Sequence, residues 1–229
     1  GNEALYQLDG ETLVDLKPDL VLTQAQCEVC AVSETAVRDA CSQLAGARVE
    51  SVHPTDLAGV FAMFRRVGDL LGRRSRAEEL IAAFEDAAST IRHRRRNLPR
   101  PRVVHLEWLD PLFSSGHWNP EIIALAGGDE RLGRPGQASR TIDVLALEST
   151  EPDLLLLAPC GFSLEQTRTE LARLRSSSLG RVINLLDPRR VALVDGNAYF
   201  SRPGPRLLDT LRITAAHLDA APVLALVHK

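Results

Sequence analysis

VVHLEWLDPLFSSGHWNPEIIALAGG, residues Val103–Gly128, reads as a strand, a long loop and a helix in that order. The short apolar run Val103–Leu106 follows the turn-forming Pro99–Pro101 and has the composition of a buried strand. The helix carries its own boundaries: Asn119 as N-cap, Pro120 at the first helical position, Glu121 complementing the N-terminal dipole and Gly127 as a stop. Between them lies a loop holding both tryptophans of the chain, Trp108 and Trp118, together with Asp110, Ser114, Ser115 and His117. In open α/β sheets the loops leaving the carboxyl ends of strands line the ligand crevice. Aromatic residues make up only 4% of the chain, so a loop that concentrates both indoles is a candidate binding wall. The competing expectation is that the indoles only cover the sheet.

Working outward, the same grammar occurs twice. Thr12–Leu16 closes a helix, Pro18-Asp19 turns, Leu20–Thr23 is an apolar strand, and a loop carrying Cys27 and Cys30 precedes a helix capped by Ser33. Later, Thr141–Leu147 reads as a helix, Pro152-Asp153 as the turn and Leu154–Ala158 as the strand. Pro159-Cys160-Gly161-Phe162 is then the loop, and Ser163 with Gln166 forms a capping-box signature. PDLVLTQAQC and PDLLLLAPC are thus two copies of one unit. Strands that are continuously apolar belong to parallel sheets covered on both faces, so two copies imply two α/β lobes. Arg48–Val52 supplies a further strand of the first lobe. Val191–Val194 supplies another of the second, leading into a loop with Asn197, Tyr199, Phe200 and Arg202 before a last helix at about 205–220. Three loops of the second lobe therefore converge on one edge, which adds Cys160, Phe162, Asn197, Tyr199, Phe200 and Arg202 to the candidate ligand contacts.

Between the copies, residues 55–97 keep helical spacing through Leu57, Val60, Phe61, Phe64, Val67, Leu70 and Leu71 up to Gly72, then through Leu80, Ile81, Phe84, Ala87, Ala88 and Ile91. A helix of about 20 residues spans about 30 Å, enough to bridge two small domains. The expected organisation is an N-terminal lobe over 1–54, a bridging helical region over 55–98 and a C-terminal α/β lobe over 99–229. The basic run Arg92–Arg96 complements the end of a helix dipole and carries no expectation of nucleic acid.

Net charge −3 gives no reason to expect an anionic polymer or lipid as partner. No apolar run reaches the roughly 20 residues of a membrane helix, and no signal-peptide pattern is visible after Gly1. Four cysteines do not make a disulfide scaffold in a chain of this size. The Cys27–Cys30 CxxC lacks the second pair or the histidines that a zinc site needs. No nucleophile elbow, phosphate loop or dinucleotide fingerprint appears, so no enzymatic activity is expected.

The strand, EWLDP, GHWNPE and the helix ending in AGG together resemble the second lobe of the cobalamin-type (class III, helical-backbone) substrate-binding proteins of ABC importers. YFSRPGPR resembles the corresponding loop of that family, which binds vitamin B12, haem and ferric siderophores. The likeness runs from about Leu8 onward. It implies two parallel-sheet lobes joined by a long rigid helix, a corrinoid or related tetrapyrrole as ligand and no intrinsic cofactor. It further implies an ABC permease as partner, and an extracytoplasmic location if an export signal precedes Gly1, otherwise a cytoplasmic one. Against the family, about two βα units are missing before Glu11. The N-terminal lobe is therefore expected to be truncated, with upstream residues or a second chain covering it. The alternatives are haem or a ferric siderophore, with Arg202 meeting a carboxylate, or a metal or redox protein built on Cys27, Cys30, Cys160 and His117.

Overall fold

A computed structural model describes residues 8–24, 34–41 and 47–221. It divides into two compact units, Gly1–Pro54 and Thr55–Lys229. In the first, α1 (Gly10–Leu16) starts at Asp9, whose carboxylate accepts from the Thr12 amide at 3.0 Å. Strands β1 (Leu20–Gln24) and β2 (Arg48–Val52) pair in parallel, with Leu20 opposite Arg48, and α2 spans Glu34–Cys41. The expected cap Ser33 and the CxxC cysteines Cys27 and Cys30 lie outside the described residues, and with them the metal-site alternative.

The second unit opens with α3 (Leu57–Leu70) and α4 (Arg74–Arg95). The helical period breaks at Gly72, whose φ of 62° needs a residue without Cβ. Ala77, Ile81, Phe84, Ala88 and Ile91 are the buried stripe of α4, and Phe84 meets Phe61 of α3 edge-to-face at 5.4 Å. At the basic end of α4, Arg94 and the buried Arg95 both pair with Asp219, so that run serves packing.

Five strands form the sheet behind the candidate site. These are β3 (Arg102–Leu109), β4 (Leu112–Ser114), β5 (Asp129–Glu130), β6 (Leu154–Leu157) and β7 (Val191–Leu193). The path runs β4-β3-β6-β7, with β5 also on β3; β3, β5, β6 and β7 are parallel and β4 is antiparallel. Side-chain alternation divides the core in two. Val103, Leu154, Leu156, Ala192 and Val194 face one cluster with α3, α4, α5 (Asn119–Leu125) and α9 (Leu207–Ala220). Val104, Leu106, Leu155, Leu157 and Val191 face the other, with α6 (Val144–Ser149), α7 (Leu164–Arg173) and α8 (Ser178–Leu185). All four residues of β6 are buried, as a strand covered on both faces requires.

Two local readings need correction. Asn119 does not cap α5; Trp118 holds that position, and the Asn119 amide is drawn away to Glu107. The helix expected from Thr141 starts at Val144, because the Asp143 carboxylate accepts from the Ala146 amide at 2.7 Å.

Candidate functional site

The carboxyl ends of β3, β6 and β7 lie side by side, so the three loops expected to converge do so. β3 runs on past Leu106 to Leu109, so Trp108 sits on strand, not loop. The pairing register slips between Leu106 and Trp108, turns at Asp110-Pro111 and returns as β4. The half-buried Trp108 donates its indole N–H to the Asp110 carbonyl at 3.0 Å, and its ring meets Phe162 edge-to-face at 5.0 Å. Phe162 belongs to the loop after β6, in which Cys160 is exposed and donates its amide to the Glu107 carbonyl at 2.8 Å. The loop after β7 is one π-helical turn, Gly196–Phe200, started by Asp195 accepting from the Ala198 amide at 2.6 Å. The Asn197 amide donates to the Phe162 carbonyl at 3.1 Å, locking the second loop to the third. The Arg202 guanidinium donates to the Asn197 side-chain oxygen at 2.9 Å, and Asp110 pairs with Arg173 at 3.1 Å.

Not every expected contact residue faces outward. Trp118 is 3% exposed and Phe200 1%; both belong to the core cluster beneath α5 and α9. Ser115 is also buried. These three are corrected to core residues, since a ligand would have to displace packed side chains to reach them. Trp108, Asp110, His117, Cys160, Phe162, Asn197, Tyr199 and Arg202 remain partly or fully exposed.

His117 occupies a strained position, with φ of 53° in the left-handed region. Its amide donates to the Gln137 carbonyl at 2.7 Å and its carbonyl accepts from the Gly136 amide at 3.0 Å. The segment 136–139 thus lies across the turn Ser115–Trp118. That approach needs Gly116, where a Cβ would stand 2.4 Å from the Ser139 nitrogen.

Behind the turn sits a polar group that sequence reasoning missed. The Glu107 carboxylate accepts from the Gly116 amide at 3.0 Å, from the Asn119 side-chain amide at 2.9 Å and from the Ser139 hydroxyl. Next to it on β3, His105 is fully buried beside Phe200, ring centroids 5.0 Å apart, with neither ring nitrogen hydrogen-bonded. Burial pulls its imidazole down to about 4, only partly opposed by the charge of Glu107. Glu130 is the third missed residue. It is only partly buried as a residue, but its carboxyl group is enclosed, and burial pushes it up to about 7. The amides of Gly133, Leu132 and His105 donate to it, and the nearby Ser115 hydroxyl helps more weakly without proper hydrogen-bond geometry. A charged residue inside an apolar strand, as Glu107 is in HLEWL, was the available signal.

This arrangement offers an aromatic edge bordered by hydrogen-bonding and charged groups. Among the described residues no group of three or more metal-ligating side chains comes together.

A family profile described as periplasmic binding protein matches residues 2–180. No curated protein matches the chain in sequence. Among solved structures, the chain is similar to an ABC transporter substrate-binding protein from Listeria monocytogenes EGD-e, with TM-score 0.71 and 19% identity over 92% of this chain and 80% of that one. It is similar to the periplasmic haem-binding protein RhuT from Roseiflexus sp. RS-1, with TM-score 0.67 and 25% identity over 94% and 81% of the two chains. It is also similar to the periplasmic vitamin B12 binding protein BtuF of Vibrio cholerae, with TM-score 0.62 and 16% identity over 93% and 78%.

Proposed function

Because the chain belongs to the periplasmic binding protein family, we propose that it captures a tetrapyrrole, a corrinoid in the first reading, on the edge formed by the loops after β3, β6 and β7. The family makes it a solute-binding protein of an ABC importer, working outside the cytoplasm and delivering to a permease. No helix among the described residues is long and apolar enough to cross a membrane.

The observation that carries the ligand class is the half-buried Trp108–Phe162 pair at the carboxyl edge of the sheet. A large flat macrocycle needs an apolar face to rest on and polar groups at its rim. Trp108, Phe162 and Tyr199 supply the face; Asp110, Asn197 and Arg202 supply donors and acceptors for amide edges. Haem is the second reading. It is favoured by the partly exposed His117 held in one backbone conformation, a ready axial ligand for iron, and by the haem-binding name of the Roseiflexus relative at 25% identity. In either reading α3 and α4, packed through Phe61 and Phe84, form a stiff helical pair at the start of the second unit.

Titration with cyanocobalamin and with haemin, followed by indole fluorescence, tests this. Saturable quenching is expected from one of them. Trp108→Ala should weaken that binding by about 1–3 kcal/mol, the scale of one aromatic contact, with the fold retained. Absence of quenching by corrinoid, haem and ferric siderophore alike would overturn the proposal.

A further inference from the structure

We infer that Glu107 is a positioning residue, whose carboxylate fixes His117 for contact with the ligand. The inference rests on the reading of this edge as a ligand wall. Glu107 points from β3 under the turn Ser115–Trp118, and its donors bracket His117. The Gly116 amide lies one residue before, the Asn119 side chain two residues after, and the Ser139 hydroxyl comes from the segment laid across the turn. One carboxylate thereby ties the turn at Gly116 and Asn119 to the segment that carries Ser139. Its Oε1 takes Gly116 and Asn119 together, at 3.0 and 2.9 Å, while Oε2 takes Ser139.

The geometry they hold is an unfavourable one. A histidine with φ of 53° persists only where its surroundings over-determine it. Here the Gln137 and Gly136 bonds fix the two backbone groups of His117 itself, and Glu107 fixes both flanks. Core packing alone would not need this, because the adjacent Trp118 is already anchored in the apolar cluster. What the network adds is a fixed backbone at His117, whose side chain is partly exposed while its neighbours Ser115, Gly116, Trp118 and Asn119 are buried. Groups that orient a ligating imidazole without touching the ligand set its affinity, typically by 10–100-fold.

The test compares Glu107→Ala, Glu107→Gln and Ser139→Ala with the unmodified protein, each first checked for folding by circular dichroism. Amide hydrogen exchange at Gly116 and His117 is read without any ligand. It is expected to quicken in Glu107→Ala and in Ser139→Ala, and less in Glu107→Gln, which keeps one acceptor oxygen. Haemin is then titrated. A Soret shift that disappears in His117→Ala should be altered in Glu107→Ala, with affinity down by roughly 10- to 100-fold and partly restored in Glu107→Gln. Unchanged exchange in a folded Glu107→Ala or Ser139→Ala overturns the inference, as does an unchanged Soret band and affinity. If the unmodified protein takes up no haemin, the reading of His117 as an iron ligand falls, and exchange at Gly116 and His117 alone decides the role of Glu107.

Discussion

The two copies of the repeated unit, PDLVLTQ at Pro18–Gln24 and PDLLLL at Pro152–Leu157, fold alike and are buried differently. Both place a parallel strand after a Pro-Asp turn. In the second, Leu156 is 0% exposed between two helical layers; in the first, Leu22 is 44% exposed on a two-stranded sheet. The turn residue diverges too. Asp153 is buried and takes a two-pronged pair from Arg102 at 3.1 Å on each oxygen, plus the Arg102 amide at 2.8 Å. Asp19 is exposed, and among the described residues it contributes its carbonyl, to the Arg48 amide at 2.9 Å. A local motif therefore specifies the element and its direction. How much that element stabilises the fold depends on what lies over its faces, which the motif does not encode.

The largest expected effects break the likeness outright. Leu156→Ala should lower stability by about 2–5 kcal/mol, and Trp118→Ala by about 3–5 kcal/mol, both leaving cavities in a packed core. Leu22→Ala should cost about 1 kcal/mol. Urea unfolding followed by circular dichroism measures all three. Equal losses at Leu22 and Leu156 would show that the two strands are covered alike in solution.

The contrast also marks what was legible in advance. Strands β1, β6 and β7 were readable because short apolar runs between turn residues leave few alternatives, and β2 (RVESV) was readable from its valines ahead of the break at His53-Pro54. The loops were placed on one edge because parallel strands put their carboxyl ends together. The fate of individual side chains was not readable. Trp108 and Trp118 occur ten residues apart in one loop-like stretch, and nothing local distinguishes them. The register slip after Leu106 leaves Trp108 half-buried at the strand's end, while the packing of α5 takes Trp118 inside. Phe200 is likewise hidden by the π-helical turn, whose start depends on Asp195. Glu107 was missed because its partners, Gly116, Asn119 and Ser139, lie nine to 32 residues away.

A second, intermediate effect concerns protons. Among the described residues, both groups strongly shifted by burial, Glu130 and His105, lie in the second unit. The folded state keeps a proton on Glu130 up to about pH 7, whereas an ordinary glutamate releases it near 4.5. Its contribution is thus full below 4.5 and is lost as pH rises through 7. His105 refuses a proton until about pH 4, whereas an ordinary histidine accepts one near 6.5. Its contribution is present above 6.5 and is lost as pH falls toward 4. The two slopes oppose each other at about 1.4 kcal/mol per pH unit each, so stability should be nearly flat where the windows overlap. His105→Phe should leave stability falling with rising pH, and Glu130→Gln should leave it falling with acid. Thermal unfolding across pH 4.5–7 reads the slopes; two flat variants would remove both groups from the account.

The smallest expected effect sharpens the comparison at the helix that follows each strand. In the second copy Ser163 and Gln166 form a reciprocal box. The Ser163 hydroxyl accepts from the Gln166 amide at 3.3 Å, and the Gln166 side chain accepts from the Ser163 amide at 2.8 Å. Ser163→Ala leaves one amide of the first turn without its acceptor and should cost about 1 kcal/mol. In the first copy Ser33, outside the described residues, is followed three positions on in sequence by Ala36, a residue type with no side-chain acceptor to return the bond. Ser33→Ala should therefore cost less than Ser163→Ala. The difference has a local readout as well as a global one, because Ser163 directly follows Phe162, the ring set against Trp108. Loosening this cap should change the Trp108 emission of the folded protein. A Ser33→Ala loss equal to or larger than that of Ser163→Ala would mean that the first copy depends on its cap more than its sparser packing suggests. The two units would then differ in where their stability resides, not in how much their helix starts contribute.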